Sequence, residues 1–193
     1  MADRAAGGAA RWATLVAVPL ALLAGLGVFA ALGGFAGDRS DDQAGASPSP
    51  APPAATSPVP VDAPALAGRA QTVCRALLSR LPEALRDRAR RPVTAGPEQN
   101  AAYGEPPVTV SCGVAPATFP GTDRVFTMDR VCWHAAETTR GTVWTTVDRE
   151  EPVRVTVPRS YDSPGQWVIE FSAPVIAAVP SVPPTEIPSG CNP

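Results

Sequence analysis

An uncharged apolar run near the start of the sequence constrains this chain more than any other feature. The run extends from Ala13 to Ala36 and contains no Asp, Glu, Lys or Arg. As a helix it would be about 36 Å long, enough to cross a hydrocarbon core of about 30 Å. Pro19 and several glycines would weaken a soluble helix but are tolerated in a membrane span. We therefore predict a transmembrane helix over residues 13–36, in contact with membrane lipid.

The charges on either side of this run predict its orientation. Arg4, Arg11 and the amino terminus precede it, whereas three aspartates and one arginine follow it within residues 38–42. Positive charge collects on the cytoplasmic side, so residues 1–12 are expected in the cytoplasm and the rest outside. The run is longer than the 7–15 residues of a signal-peptide core, which favours a retained signal anchor over a cleaved leader. The expected location is the cell membrane, with a single pass and an extracytoplasmic C-terminal domain.

Composition divides the remaining chain into a spacer, a domain and a tail. Residues 37–64 are rich in Pro, Ala and Ser and offer little for a core, which predicts a disordered, extended linker. Residues 65–180 contain the apolar periodicity expected of a folded domain. Residues 181–193 form a second Pro-rich stretch, a tail that we expect to be irregular but held near its end by Cys191.

Hydrophobic spacing in residues 65–180 predicts an α+β fold. Apolar side chains recur at helical intervals from Leu66 to Leu81, and Pro82 either ends this helix or begins a continuation through Arg91. A second helix is expected from Ser163, as its cap, to Ala178, with a kink at Pro174. Strand patterns occupy residues 108–112, 126–128, 131–135, 142–147 and 153–157. The expected architecture is a small antiparallel sheet with helices packed on one face.

The four cysteines, at positions 74, 112, 132 and 191, all follow the predicted span. An even count in an exported domain indicates two disulfides, and three connectivities are possible. Cys74 lies on the apolar helix face and Cys112 on the apolar strand face, so Cys74–Cys112 is the preferred pair. Cys132 has the opposite strand parity to its neighbours, where the tail can reach it, which favours Cys132–Cys191. No spacing typical of metal ligands occurs, so neither a metal site nor a cofactor is expected.

Charge limits the kinds of partner. The formal net charge is −2, and all 16 basic residues are arginine, which argues against a nucleic-acid partner. Residues 66–91 nevertheless carry a local excess of arginine over acid. One interpretation is a basic helix packed over an acidic sheet. The other is an anion-binding site for an envelope polymer or a lipid head group, formed by Arg86, Arg88, Arg90 and Arg91.

Catalytic patterns are sparse. His134, the only histidine, lies two residues from Cys132, and such side chains on one strand are about 7 Å apart, beyond hydrogen-bond reach. The G-x-S-x-G pattern of a serine nucleophile is absent. We therefore expect a non-catalytic binding domain for an unidentified envelope protein or polymer. The alternative is an envelope-acting hydrolase or thiol enzyme that uses His134 with Cys132 or with a nearby serine, Ser160 or Ser163.

Residues 101–108 (AAYGEPPV) and 111–114 (SCGV) resemble a segment of an actinobacterial family of exported or membrane-anchored proteins, the domain-of-unknown-function 3515 family. The resemblance extends from the helix with Cys74 to the strand ending at Pro158, and covers roughly residues 65–180. Family members tend to have Trp-Gly-Asp-Pro-Pro and Arg-Cys-Gly where this chain has Tyr103, Glu105 and Ser111. A binding role for the family arginine therefore does not carry over to position 111. The resemblance implies no activity, because none is established for the family.

Overall fold

The computed structural model describes residues 56–66 and 68–191, all of which belong to one unit, Pro52–Pro193. The predicted cytoplasmic N-terminus, the predicted transmembrane helix and most of the predicted linker lie outside the described residues. Within the two described ranges, every helix is too short or too polar to cross a membrane.

A single antiparallel sheet forms the centre of the described unit. Its eight strands are β1 (Ala84–Leu85), β2 (Arg88–Arg91), β3 (Asn100–Tyr103), β4 (Val108–Cys112), β5 (Val125–Met128), β6 (Val131–Glu137), β7 (Gly141–Thr146) and β8 (Val153–Pro158). Their order across the sheet is β1-β2-β3-β4-β8-β7-β6-β5, and all neighbours are antiparallel. The helices are α1 (Gly68–Leu78), α2 (Gly165–Val168) and α3 (Ser172–Ala178). An antiparallel sheet with helices is the predicted α+β class.

The two central strands show why one face of the sheet forms the core. In β4 and β8, alternate residues are buried, and Val110 of β4 lies opposite Val155 of β8. Their side chains belong to one apolar cluster with Leu77 of α1 and Val175 of α3. This helix-covered side is the inner face of the sheet, and the opposite side is the outer face. Because the side-chain period of a strand is two, each residue of β4 and β8 is assigned to a face by its parity.

The first helix ends earlier than either sequence alternative. It stops at Leu78, and residues 84–91 form the β1–β2 hairpin, so the predicted continuation through Arg91 is wrong. Arg86 in the turn has a φ of 55°, a left-handed conformation that a helix does not contain. Leu85, 1% exposed, joins the core from β1. The sheet therefore extends further on this side than the sequence predicted.

Strand β3 is also absent from the prediction. All four of its residues are buried, since one side faces the core and the other is covered by the chain before α1. Burial on both sides removes the polar–apolar alternation by which the other strands were recognised.

The second predicted helix is present but broken. A 3₁₀ turn at Ile169–Phe171 separates α2 from α3. Pro174 has no amide hydrogen for the carbonyl four residues earlier, which is the reason a kink was expected here. Ser163 does not act as the predicted cap: its φ is 51°, and the residue that precedes α2 is Pro164, which makes no side-chain cap bond. Of the two aromatic residues in this segment, Phe171 is fully buried, whereas Trp167 is only partly buried.

The end of the predicted linker packs on the domain. Val59 is 4% exposed, its amide donates to Pro92 O at 2.9 Å, and its carbonyl accepts from the Thr94 amide at 3.0 Å. Asn100 donates from Nδ2 to Asp62 O at 3.0 Å. The disordered linker predicted over 37–64 therefore extends too far at its C-terminal end. Between its prolines, Val59 offers both an apolar side chain and an amide donor, and both contribute to holding this segment on the domain.

The tail is irregular but attached, as expected. Ser181 bridges to Arg149, and Val182 donates from its amide to Asp148 O at 3.0 Å. A 3₁₀ turn at Pro184–Glu186 leads towards Cys191. The tail thus returns to the turn between β7 and β8.

Candidate functional site

The two disulfides are the preferred pairs of the sequence prediction, which rested on the apolar face of the first helix and on strand parity. Cys74 is joined to Cys112 and Cys132 to Cys191, with Cα atoms 5.4 Å and 5.7 Å apart. The first pair lies in the apolar cluster between α1 and β4. The second attaches the tail to β6. Both bridges close long loops, of 38 and 59 residues.

The four candidate anion-binding arginines lie in different surroundings. Arg86, in the β1–β2 turn, donates from Nη2 to Gln166 O at 2.7 Å, pairs with Glu170 at 3.3 Å and lies over the Trp167 ring. Arg86 therefore attaches the β1–β2 hairpin to the segment around α2, and its guanidinium is already paired with Glu170.

The other three arginines belong to β2 and divide between its faces. Arg91 is 8% exposed, pairs with Glu105 and donates from Nη2 to Ser57 O at 2.8 Å. Arg90 lies opposite Tyr103 on the inner side, and by parity Arg88 shares that side. Arg91 thus holds the chain before α1, and the structure does not bring the four guanidinium groups into one patch.

The His134 side chain is engaged on the outer face. Its ring stacks on Phe119, with centroids 4.1 Å apart, and its Nε2 lies 3.1 Å from Asp123 Oδ2. Cys132 Sγ is bonded to Cys191, so it is not a thiol that His134 could activate. The thiol-enzyme alternative is therefore not favoured. Ser160 and Ser163 are exposed residues after β8.

A row of polar residues crosses the outer face and includes His134. The register of five adjacent strands places one residue from each side by side: Asn100, Ser111, Arg154, Thr145 and His134. Neighbouring strands are about 4.8 Å apart, so these side chains form one line across the sheet. We refer to these five residues as the polar row. Arg154 and Ser111 of this row are partly exposed, whereas Asn100, Thr145 and His134 are buried.

Arg154 is the cation at the centre of the polar row. It is partly exposed, donates from Nε to Thr145 Oγ1 at 3.5 Å and from Nη2 to Ala115 O at 3.3 Å. Both are long for charge-assisted hydrogen bonds, and neither uses Nη1. A guanidinium held in this way can still bind a carboxylate or a phosphate.

The loop after β4 covers one end of the polar row. Gly113 begins it with a φ of 71°, and a Cβ there would lie 2.6 Å from Leu66 Cδ2, so no larger residue fits without a shift. The loop then supplies Ala115 O to Arg154 and Phe119 to His134. It contacts both Arg154 and His134 without covering Arg154 completely.

A cavity of about 530 Å³ lies where this loop, the β7–β8 turn and the tail meet. Its lining includes Phe119, Thr146, Arg149, Val182 and Pro188. A volume of this size falls within the range of small-molecule sites. The cavity is open to solvent, and its lining residue Phe119 also stacks on His134 of the polar row.

Asp148 and Arg149 form a buried ion pair below this cavity. Asp148 is fully buried, Arg149 is 8% exposed, and Arg149 Nη2 lies 3.4 Å from Asp148 Oδ2. Burial raises the pKa of Asp148 above its ordinary value, while the charge of Arg149 and nearby amides oppose that rise. Burial likewise lowers the pKa of Arg149. Both residues directly follow the predicted strand over 142–147, and nothing in their local pattern signalled burial.

Asp148 also belongs to the only group of metal-ligating side chains found among the described residues. Its carboxylate and the Sγ atoms of Cys132 and Cys191 lie within 4.8 Å of one another. Metals bind thiolates, and here the two sulfur atoms are bonded to each other. The oxidised group is therefore a carboxyl beside a disulfide and not a set of metal ligands.

Fold and site together define a disulfide-stapled α+β domain with a polar, cation-centred sheet face. The family model described as "Protein of unknown function (DUF3515)" matches residues 16–184. The chain therefore belongs to the DUF3515 family, as residues 101–114 suggested. No curated protein and no solved structure matches the chain.

Proposed function

We propose that this protein is a single-pass, membrane-anchored recognition domain that works outside the cytoplasm, at the cell envelope. Two features support this proposal. The uncharged run over residues 13–36 has the length and flanking charges of a signal anchor. The domain contains two disulfides and no free cysteine among its described residues, and disulfides persist in oxidising compartments.

The polar row carries the proposal that the domain binds a ligand. It places the partly exposed Arg154 beside the partly exposed Ser111 on the outer face of the sheet. The other three members of the row, Asn100, Thr145 and His134, are buried. A guanidinium favours carboxylate or phosphate, and the neighbouring Ser111 hydroxyl can bind a hydroxyl group. We infer that the ligand is an anionic envelope polymer, with its negative groups at Arg154.

The length of the linker also agrees with a ligand that lies at some distance from the membrane. Up to the first packed residues near Ser57, the Pro-rich linker would hold the domain tens of ångströms from the membrane, at about 3.1 Å per residue if extended. Membrane lipid is then the partner of residues 13–36, and the polymer is the partner of the outer face. The role is non-catalytic binding and involves neither a cofactor nor nucleic acid.

A co-sedimentation measurement with full-length protein in detergent tests this proposal. Insoluble cell-wall polymer is the probe, and Arg154→Gln is compared with Arg140→Gln, which removes the same charge from the exposed β6–β7 turn. Hydrogen bonds to a charged group contribute about 1.5–3 kcal/mol, so we expect R154Q to weaken binding at least about tenfold. R140Q should bind like the wild type, and added salt should weaken both proteins that retain Arg154.

Two results would contradict the proposal. One is wild-type protein that stays in the supernatant with wall polymer at low salt. The other is an equal loss of binding in R154Q and R140Q, which would mean a general charge effect and no site at the polar row.

A further inference from the structure

The two disulfides differ in what surrounds them. Cys74 and Cys112 lie among apolar side chains such as Leu77 and Val110, inside the core cluster. The Cys132–Cys191 bond lies on the outer side instead, with the Asp148 carboxyl within 4.8 Å of both sulfur atoms. A carboxyl is costly to bury, and no other feature of the proposed function uses Asp148.

The Asp148 carboxyl is suited to carry a proton. The residue is fully buried, and its carboxyl oxygens make no close side-chain hydrogen bond, since the Arg149 Nη2 of the ion pair lies 3.4 Å from Oδ2. Burial is the largest influence on its pKa, which is raised, so the neutral acid persists to a higher pH than in water. The geometry supplies the second requirement of a proton donor, since the carboxyl lies within 4.8 Å of both sulfur atoms.

The two sulfur atoms also differ in access. Cys132 is completely buried, whereas Cys191 is 9% exposed, and most of the tail before it, from Pro183 to Gly190, is exposed. A thiolate attacks the disulfide sulfur that it can reach. Attack is therefore expected at Cys191, and Cys132 is then the leaving sulfur, next to the buried carboxyl.

We propose that Cys132–Cys191 is a redox-active disulfide, opened by an extracytoplasmic dithiol protein, with Asp148 as the proton donor to Cys132. A thiolate of the dithiol forms a bond to Cys191 Sγ while the Cys191–Cys132 bond breaks. The electron pair goes to Cys132 Sγ, which accepts the proton of Asp148. The second thiolate of the dithiol then displaces Cys191, which takes a proton from solvent, as does Asp148.

The overall exchange is balanced. The dithiol loses two electrons and becomes a disulfide, and the chain gains two thiols, at Cys132 and Cys191. The released tail contributes Val182 and Pro188 to the wall of the 530 Å³ cavity, so reduction would open that cavity. Cys74–Cys112, which lies in the apolar core, stays oxidised and keeps the sheet and α1 joined.

Few charges face Asp148. Arg149, on the same turn, is the nearest, and it favours the ionised carboxylate. Arg130, in the β5–β6 turn, lies on the far side of Arg149, whose Nη2 donates to the Arg130 carbonyl at 2.6 Å. Both arginines stay charged between pH 5 and pH 8. A change with pH in the rate at which Cys132–Cys191 is reduced is therefore assigned to Asp148.

The test follows both disulfides in one sample of full-length protein in detergent. Dithiothreitol is the reductant between pH 5 and pH 8, alkylation stops the reaction, and tryptic peptides report each cysteine. Arginines lie between all four cysteines, so each falls on a separate peptide. We expect Cys132–Cys191 to open at least about tenfold faster than Cys74–Cys112, since general acid catalysis contributes that much or more.

The pH profile distinguishes a proton donor from a merely accessible bond. Rates are divided by the concentration of dithiothreitol thiolate. The corrected rate for Cys132–Cys191 should fall as pH rises, because Asp148 loses its proton, while that for Cys74–Cys112 should stay level. In Asp148→Asn the first rate should drop about tenfold and become independent of pH.

The rate at Cys74–Cys112 also shows whether D148N has folded, since both disulfides of an unfolded chain would be reduced rapidly. The wild-type pH profile needs no variant and stands alone as a test. Equal corrected rates for the two bonds, or a wild-type rate at Cys132–Cys191 that does not change with pH, would overturn the proposal. Neither result would bear on polymer binding at Arg154, which is measured separately.

Discussion

The two faces of the sheet are built by different means. The inner face is covered by helices and filled with valines and aromatic rings, with Trp133 and Phe171 fully buried. The outer face is covered only in part, by irregular segments held through polar contacts such as Asn100 to Asp62 O and Phe119 to His134. We conclude that the stability of the domain comes mainly from the inner face. The outer face is the one on which we propose that a ligand binds, at Arg154.

The largest expected effect is at Trp133, on the inner face. Trp133→Ala removes a fully buried ring and should cost about 3–5 kcal/mol of unfolding free energy, because a cavity adds to the lost transfer energy. Thr156→Ala on the outer face of β8 should change stability by less than about 0.5 kcal/mol. Urea unfolding followed by circular dichroism measures both. Similar losses in the two variants would contradict the difference between the faces.

Removal of either disulfide is the next largest effect. The chain-entropy relation gives about 4 kcal/mol for loops of both lengths, because the dependence on loop length is only logarithmic. The C74A/C112A and C132A/C191A double variants should therefore lose similar stability, within about 1 kcal/mol of each other. Unfolding under non-reducing conditions checks this. A variant as stable as the wild type would mean that its bond does not constrain the unfolded chain.

A substitution at Asn100, on the outer face, should have an intermediate effect on the unfolding free energy. Asn100→Ala removes buried hydrogen bonds to Asp62 O and Ala95 O and leaves those carbonyls without this donor. A cost of about 1–3 kcal/mol is expected. Hydrogen exchange should become faster in residues 57–66 and stay slow in α1. Uniform acceleration across the domain would instead indicate that Asn100 supports the whole fold.

Tyr103 lies on the same strand but on the inner face, and its burial can be tested through the pH dependence of stability. Its hydroxyl donates to Pro82 O at 2.9 Å, so Tyr103→Phe should cost about 1 kcal/mol at neutral pH. Burial raises the pKa of Tyr103 to about 12. The folded state then keeps a proton that the unfolded state loses above about pH 10, so wild-type stability falls from pH 10 towards pH 12.

Y103F should lose most of this alkaline decline. The pKa of Tyr161 is raised as well, again mainly by burial, and Tyr161→Phe is the matched control because these are the chain's two tyrosines. Unfolding free energies at pH 9 and pH 11 give the slope. An unchanged slope in Y103F would show that Tyr103 titrates normally.

Elements with one buried face could be predicted from the sequence. Period-two alternation identified β4, β7 and β8, and the same parity placed Cys112 inward and Cys132 outward. Both disulfide pairs follow from that assignment. Arg154 could also have been found, since it alternates with the buried valines of β8.

Elements buried on both sides, or fixed by distant partners, could not be predicted. Strand β3 has no alternation because the segment around Val59 covers its outer side. Asp148 lies in a charged turn whose burial depends on the returning tail, a contact that no local pattern encodes. The arginines of residues 86–91 likewise find partners far along the chain, such as Glu170 and Ser57.

The proposed location of an oxidised domain outside the cytoplasm can be tested by the state of Cys74 and Cys112 in living cells. Intact cells are treated with a membrane-permeant alkylating reagent, and the full-length protein is digested without reduction. We expect these two cysteines to be recovered as one linked peptide pair and without the reagent. Alkylated Cys74 and Cys112 as the main form would contradict it, whereas partial alkylation confined to Cys132 and Cys191 would agree with an exchangeable outer bond.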